Sequence, residues 1–343
     1  MAEPITVYDH IRQNNLRTMY LLILFPLSLI MLVFIACMIG AAIIDAPDFM
    51  MGGVQVIRSL WPGFMPNLNN VWEVYAWGSL GFTLYTVMPI FIVTSLWMLI
   101  SYMFGDKMML KFAEARKAKT KKDAKVYQAI ENVAIMAGLP TPKAYIIEEN
   151  SMNAFATGRS PKSASIALTR GLVENLTMEE LEGVIAHEMA HIQNRDIRLN
   201  MLIITGLGIF GFMASLIRHS DLRIKPGGNK DSQHNLYIVI MMICIMTALM
   251  VFHYLVAPAI RFAVSRTREY AADATGALII RNPKALASAL RKLADDSEVK
   301  SVEDDPDMAA AFIANPLASK LGLAKLTSTH PPLISRIERL ESM

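Results

Sequence analysis

The sequence is poor in cysteine and histidine. Only two of its 343 residues are cysteines, and seven are histidines. Cys37 and Cys244 both lie inside apolar runs, which excludes a disulfide framework and a Cys-x-x-Cys zinc site. Any metal ion must therefore be bound by histidine and carboxylate side chains.

Charged residues are also scarce. They make up 18% of the chain, whereas hydrophobic residues make up 53%. Such apolarity in a long chain favours membrane-spanning segments over an oversized soluble core. The formal net charge of +3 is too small to indicate a nucleic-acid partner, so we expect none.

Four apolar runs are long enough, or almost long enough, to cross a bilayer: residues 19–44, 74–104, 201–217 and 236–260. The first two predict transmembrane helices. The last two predict a membrane hairpin over residues 201–260, which either crosses the bilayer twice or lies shallowly beside the soluble part of the chain. His253, in the fourth run, is expected to be a hydrogen-bonded structural histidine.

Basic residues predict the orientation of these runs. Eight lysines and arginines lie between Lys107 and Lys125, directly after the second run, whereas Arg58 is the one basic residue of the segment before that run. The positive-inside rule therefore predicts a periplasmic loop at residues 45–73. The segments expected in the cytoplasm are residues 1–18, 105–200 and 261–343.

The chain after Asp123 has the patterns of a soluble domain. Apolar residues recur at helical spacing from Val126 to Ala137, and Gly138 and Pro140 predict that this helix stops there. Short runs rich in β-branched and aromatic residues then predict a small sheet. These runs are residues 143–148, 152–157 and 164–169.

A capping box predicts the start of the next helix. Thr177 is followed three residues later by Glu180, and this pair can satisfy the free N–H groups of a first helical turn. The helix should begin near Met178 and continue through His191.

This helix carries the motif H-E-x-x-H as His187, Glu188 and His191. Residues four apart share a helix face, so both imidazoles can bind one zinc ion, while Glu188 lies beside the open coordination position. Zinc would lower the pKa of a bound water molecule, and Glu188 could accept its proton. The motif therefore predicts a zinc hydrolase with one zinc ion per chain.

A catalytic zinc site needs a third protein ligand. Glu269 and Asp273 lie four residues apart in an alanine-rich, helical segment beyond the fourth apolar run. Glu269 can be the third ligand, and Asp273 can accept the ring N–H of a ligating histidine. The alternative is that both carboxylates pair with Arg266 and Arg268 on a solvated helix face.

The order of four motifs resembles the HtpX-like membrane zinc metalloproteases, which are relatives of the prenyl-protein endoproteases in the gluzincin class. The motifs are residues 153–158 (Asn-Ala-Phe-Ala-Thr-Gly), the H-E-x-x-H helix, Glu269-x-x-x-Asp273, and residues 329–332 (Thr-His-Pro-Pro) with Arg336 beyond. The apolar hairpin between the two metal-binding helices also matches.

The resemblance implies a mainly α-helical membrane protein with an α+β zincin-type catalytic domain. We expect about four transmembrane or membrane-embedded helices and a catalytic site at the cytoplasmic face of a bacterial inner membrane. The implied activity is zinc-dependent endoproteolysis of misfolded or damaged membrane proteins, in protein quality control and the stress response. The oligomeric state is not indicated.

The resemblance also implies roles for individual residues. His187, His191 and Glu269 would bind zinc, Glu188 would be the general base, and Asp273 would support a ligating histidine. His330 would stabilise the oxyanion, with Arg336 close to it; alternatively, His330 fixes the turn at Pro331 and Pro332. An edge strand would pair with the substrate backbone, and its residues are Asn153, Ala154, Phe155 and Ala156.

Other hypotheses remain. A non-catalytic membrane scaffold or transport component would bind a structural metal. A zinc site inside the bilayer would need an apolar run around the H-E-x-x-H helix, which is instead flanked by Glu174, Glu179, Glu180, Glu182 and Arg195. Gly206, Gly208 and Gly211 spell G-x-G-x-x-G, which we interpret as close helix packing. Residues 45–72 and the acidic residues 295–307 have no assigned role.

Overall fold

The computed structural model describes residues 7–44, 47–63, 68–119, 121–219, 257–295, 299, 308, 311–314 and 331–343. His253, His330, most of the fourth apolar run and most of the acidic stretch lie outside these residues. The chain divides into two compact units. The helical unit comprises Tyr20–Leu99 and Ile209–Ala257, and the mixed unit comprises Met1–Met19, Ile100–Gly208 and Pro258–Met343.

The first two apolar runs lie within long helices. These are α1 (Val7–Ile44) and α3 (Val71–Phe112). Among the described residues, no helix combines the length and the apolarity needed to cross a membrane. The four predicted spans therefore stay a prediction.

The segment predicted as a loop between these helices contains a helix of its own, α2 (Pro47–Leu60). Met50, Val54 and Ile57 are buried, and their spacing of four and three residues defines one helical face. A Cβ atom on Gly81 of α3 would lie 1.6 Å from the carbonyl oxygen of Gly53. These glycines therefore allow α2 and α3 to pack closely against each other.

The mixed unit contains the predicted sheet with one additional strand. The strands are β1 (Arg116–Lys117), β2 (Lys143–Ile147), β3 (Ala154–Thr157) and β4 (Ser165–Thr169). They follow the order β1-β2-β4-β3. β2 and β4 are parallel, and the outer strands pair antiparallel with them. β3 is therefore an edge strand, as predicted.

The helices of the mixed unit follow the local signals of the sequence. Gly138 ends α4 in the left-handed conformation, with φ of 65°, which glycine adopts without a steric cost. The capping box forms: Thr177 Oγ1 accepts from the N–H of Glu180 at 3.3 Å, and Glu180 accepts from the N–H of Thr177 at 2.9 Å. The helices are α4 (Ala124–Ala137), α5 (Arg170–Asn175), α6 (Met178–Gln193), α7 (Asp196–His219), α8 (Ala257–Ile280), α9 (Pro283–Asp295) and α10 (Leu333–Glu341).

Helix α6 lies in the core of the mixed unit and contacts α4, α9 and β3. Leu181, Val184 and Ile185 are fully buried in this core. His187 and His191 are buried on the same helix. Buried polar side chains need partners, so the contacts of these two histidines define the site.

Candidate metal centre

Two helices bring together the three predicted metal ligands. His187 and His191 lie one turn apart on α6, with their Nε2 atoms 3.2 Å apart. Glu269 on α8 lies opposite them. Its Oε2 is 3.6 Å from Nε2 of His187, and its Oε1 is 3.5 Å from Nε2 of His191.

These distances fit one tetrahedral metal ion. Zinc binds imidazole nitrogen at about 2.0–2.1 Å, so neighbouring ligand atoms of a tetrahedral site lie about 3.3 Å apart. Ligand atoms of all three residues lie within 4.8 Å of one another, and all three residues are buried. The residues could therefore hold a metal ion.

Asp273 supports the first histidine from the side away from the ligands. Its Oδ1 lies 2.9 Å from Nδ1 of His187. Arg336 on α10 donates two hydrogen bonds to the same carboxylate, at 2.8 and 2.9 Å. A proton on Nδ1 leaves the Nε2 lone pair free for a metal. Arg336 is 0% exposed, and its guanidinium also reaches the ligands: Nη1 lies 3.6 Å from Oε2 of Glu269, and Nη2 lies 3.4 Å from Nε2 of His187.

Asp196 supports the second histidine in the same way, and the sequence interpretation missed it. It is the first residue of α7, and its Oδ2 lies 2.9 Å from Nδ1 of His191. An aspartate five residues beyond the second histidine of H-E-x-x-H was a usable signal. For Asp196 to reach His191, the chain must turn sharply after α6. The chain does so at Arg195, where φ is 61°.

The supporting aspartate changes the protonation of His187. Burial and the charge of Arg336 lower the pKa of His187, but hydrogen bonds to Asp273 and Glu269 outweigh them and raise it to about 9. Burial raises the pKa of Asp273, yet the charge of Arg336 and the contact with His187 lower it to about 2. When no metal is bound, these contacts therefore favour a second proton on the ring of His187. A metal ion must displace that proton, so metal affinity falls as the pH falls.

A glycine sets the distance between α6 and α8. A Cβ atom on Gly276 would lie 2.9 Å from the backbone nitrogen of His187 and 3.1 Å from the carbonyl carbon of Ala186. Backbone atoms cannot move aside as a flexible side chain can. Gly276 therefore lets α8 approach closely enough for Glu269 to face the two histidines.

Replacing Gly276 with Ala is expected to push α8 away from α6. The overpacking should destabilise the fold by about 1–3 kcal/mol and weaken metal binding. Thermal unfolding and a chelator competition measure both effects. Gly208→Ala in α7 is the control, because no atom of the residues that the structure describes lies within 4 Å of its added Cβ. Equal metal affinity in the Gly276→Ala variant would contradict this role.

A cleft opens beside the three ligands. Glu188 lines it, and so does Ala156 of the edge strand β3. Ile197, Asn200, Ala311 and Ile313 form other parts of its wall. The predicted general base and one predicted substrate-binding residue thus lie at one opening.

The other predicted substrate-binding residues contact residues 311–314. The side chain of Asn153 donates to the carbonyl of Ala314 at 2.8 Å, and the N–H of Ile313 donates to the carbonyl of Ala154 at 2.9 Å. Phe155 is buried, with its ring edge-on to Phe312 at a centroid distance of 5.0 Å. Part of the strand edge is therefore covered by the chain itself.

Comparisons with known proteins find sequence relatives of this chain. Residues 120–343 match the model of peptidase family M48. A protease HtpX homolog of Bacteroides fragilis is 32% identical over 334 residues, which are 96% of each chain. A protease HtpX homolog of Desulfatibacillum aliphaticivorans is 42% identical over 240 residues, which are 70% of this chain and 75% of that protein.

A solved structure is also similar. The crystal structure of S. mikatae Ste24p matches with a TM-score of 0.45 and 22% sequence identity, and the match covers 90% of this chain and 66% of that chain. The family assignment rests on the sequence matches, which cover the metal ligands and Glu188. The chain belongs to peptidase family M48, together with these HtpX homologues, and is a metalloendopeptidase.

Proposed function

We propose that the chain is a zinc endopeptidase of a bacterial inner membrane, which hydrolyses peptide bonds of misfolded or damaged membrane proteins at the cytoplasmic face. One observation carries the chemical part. Three ligand atoms spaced as in a tetrahedral zinc site line the same cleft as Glu188. Among the described residues the ligand set has three members, which favours a catalytic over a closed structural site.

Zinc is the metal we propose, because two imidazole nitrogens and one carboxylate are a ligand set typical of catalytic zinc. The bound ion would supply a Lewis acid that makes the attacking water more acidic. Glu188, which is 3% exposed, would accept a proton from this water. The water oxygen then bonds to the peptide carbon, the C–N bond breaks, and Glu188 passes the proton to the leaving nitrogen.

Arg336 and His330 have different proposed roles. We propose that Arg336 fixes Asp273, and through it His187, because its guanidinium donates two hydrogen bonds to that carboxylate. His330 lies outside the described residues, and its proposed role in stabilising the oxyanion rests on the family resemblance. Residue 331, which directly follows His330, is described and lies five residues before Arg336. Only a short length of chain therefore separates His330 from Arg336.

The substrate backbone is proposed to pair with β3 at Ala156. The backbone carbonyl of Asn153 points toward β4, because it accepts a hydrogen bond of 3.0 Å from the N–H of Thr169. The backbone N–H and C=O groups of successive residues in a strand point to opposite sides. Those of Ala154 and Ala156 therefore point away from β4. Ile313 already pairs with the carbonyl of Ala154, which leaves Ala156 as the proposed pairing position.

Replacing Ala156 with Pro is expected to lower kcat/KM about fivefold to tenfold, because the substrate loses one backbone hydrogen bond. Proline is tolerated where a strand N–H faces outward from a sheet, so bound metal and the unfolding temperature should stay close to those of the parent. Steady-state cleavage of a fluorogenic peptide measures the change. An unchanged kcat/KM would mean that substrate does not pair there.

The membrane location is supported by exposed apolar side chains on α1. Ile23, Leu27, Met31, Ile35 and Ile39 are each between 41% and 65% exposed. They lie four residues apart and form a stripe about 24 Å long, close to the thickness of about 30 Å of a bilayer core. Lipid tails would cover this stripe.

The location is tested by fractionation. The chain should remain in the membrane pellet after an alkaline carbonate wash. In inverted vesicles, whose cytoplasmic face is outside, added protease should cut the chain faster than it does in right-side-out vesicles. Release into the supernatant would contradict the membrane proposal without affecting the metal site.

The activity is tested with unfolded casein as a surrogate substrate. The purified full chain should cleave it, a chelator should stop cleavage, and one equivalent of Zn²⁺ should restore it. Restoration by Mg²⁺ but not by Zn²⁺ would contradict the choice of metal. The alternative of a non-catalytic scaffold is not supported, because the chain is a family M48 peptidase.

A further inference from the structure

The second supporting aspartate is connected to the amino-terminal segment. Asp196 uses Oδ2 for the contact with His191. Its other oxygen, Oδ1, accepts a hydrogen bond of 2.6 Å from Nδ2 of Asn14, a residue 182 positions earlier on α1. Asn14 is 2% exposed and Asp196 is 1% exposed. Water therefore does not compete for this contact.

Two further contacts hold this buried group. Nδ2 of Asn14 also donates to the carbonyl of Asn194 at 3.0 Å, which ties α1 to the turn between α6 and α7. Nη1 of Arg268 lies 3.3 Å from Oδ1 of Asp196. Arg268 directly precedes Glu269 on α8. The carboxylate of Asp196 thus joins α1 to both helices that carry metal ligands.

The two histidine ligands have parallel supports. His187 is held by Asp273, whose carboxylate is bound by Arg336 on α10. His191 is held by Asp196, whose carboxylate is bound by Asn14 and contacted by Arg268. A carboxylate that is bonded on both oxygens cannot rotate freely, so it keeps the imidazole in one orientation and one tautomer.

We propose that Asn14 is a positioning residue of the metal centre. It holds Asp196 in the orientation that directs Nε2 of His191 to the metal. The amino-terminal segment before the first apolar run is thereby part of the site, although it carries no metal ligand. This inference rests on the proposed zinc site.

Metal affinity tests the proposal in the purified full chain. Asn14→Leu has a similar size but no donor, and it should weaken the zinc Kd about 10-fold to 100-fold, as loss of a hydrogen-bond partner of a ligand typically does. The control is Asn15→Leu on the same helix. The side chain of Asn15 is next to Asn14 in the chain and accepts a hydrogen bond from Arg198 instead. Competition with a chromophoric chelator at fixed pH gives both constants.

A spectroscopic measurement separates positioning from general destabilisation. When both variants are saturated with Co²⁺, the visible absorption band should shift for Asn14→Leu and stay unchanged for Asn15→Leu, because only the former alters ligand geometry. An unchanged zinc Kd together with an unchanged cobalt band in Asn14→Leu would overturn the proposal.

A double-mutant cycle tests the route through Asp196. In an Asp196→Ala background, which removes both carboxylate oxygens, Asn14→Leu should have little further effect on the zinc Kd, because both changes break the same connection. Fully additive effects would overturn the proposed route. If Asn14→Leu does not fold, Asn14→Ala, which is smaller and removes the same donor, takes its place in the same cycle. A parent chain that binds no zinc would instead refute the proposed function itself.

Discussion

Glu188→Gln is expected to lower kcat for peptide hydrolysis on the order of 10³-fold while one metal ion remains bound. Glutamine has the size of glutamate, but its amide cannot accept a proton from water. The carboxylate of Glu188 lines the cleft and is not among the three metal ligands of the described residues. Metal binding and proton transfer therefore reside in different groups.

The measurement combines single-turnover cleavage of casein with metal analysis of the same sample. Glu179→Gln is the matched control, because Glu179 lies in the first turn of the same helix and is exposed. Its kcat should equal that of the parent. If Glu188→Gln cleaved at the parent rate, another group would have to be the base.

Glu269→Ala has the second large effect, and here we expect the metal to be lost together with the activity. Two imidazoles alone leave a buried site without a negatively charged ligand. Loss of a partner behind a ligand costs about 10-fold to 100-fold in metal affinity, so loss of the ligand itself should cost more than about 100-fold. Binding of one metal ion with parent affinity would remove Glu269 from the ligand set.

The exposed residue Glu338 offers the control for this experiment. Glu338→Ala also removes one carboxylate, from α10, but Glu338 is exposed. Its metal content and activity should remain those of the parent. Glu188→Gln and Glu269→Ala thus have different signatures, since the first variant keeps its metal and the second loses it.

Much of the fold of the mixed unit was predictable because its signals are local. The capping box of Thr177 and Glu180 and the left-handed Gly138 each depend on a few neighbouring residues. The three predicted strands are confirmed. Helix α2 was missed, although the helical spacing of Met50, Val54 and Ile57 is itself a local signal; the structure shows these residues buried on one face.

The substrate cleft shows the limit of a motif. The edge strand was predicted from a resemblance at residues 153–158, which treats its residues alike. In the structure, Ile313 pairs with Ala154 and Ala314 with Asn153, while Ala156 lines the cleft. Residues about 160 positions away in the chain make this difference, and no pattern within the motif indicates it.

The sequence by itself determined the chemistry of the centre. Few cysteines and the spacing of His187 and His191 specify two imidazole donors, because side chains four apart on a helix face one way, and the resemblance implied Glu269 as the third ligand. Only the tertiary structure decided what holds those donors in place. Asn14 and Arg336 reach the centre from distant segments, and Asp196 reaches it because the chain turns at Arg195. Hydrogen bonds between such segments depend on how the helices pack, and packing is a property of the whole fold.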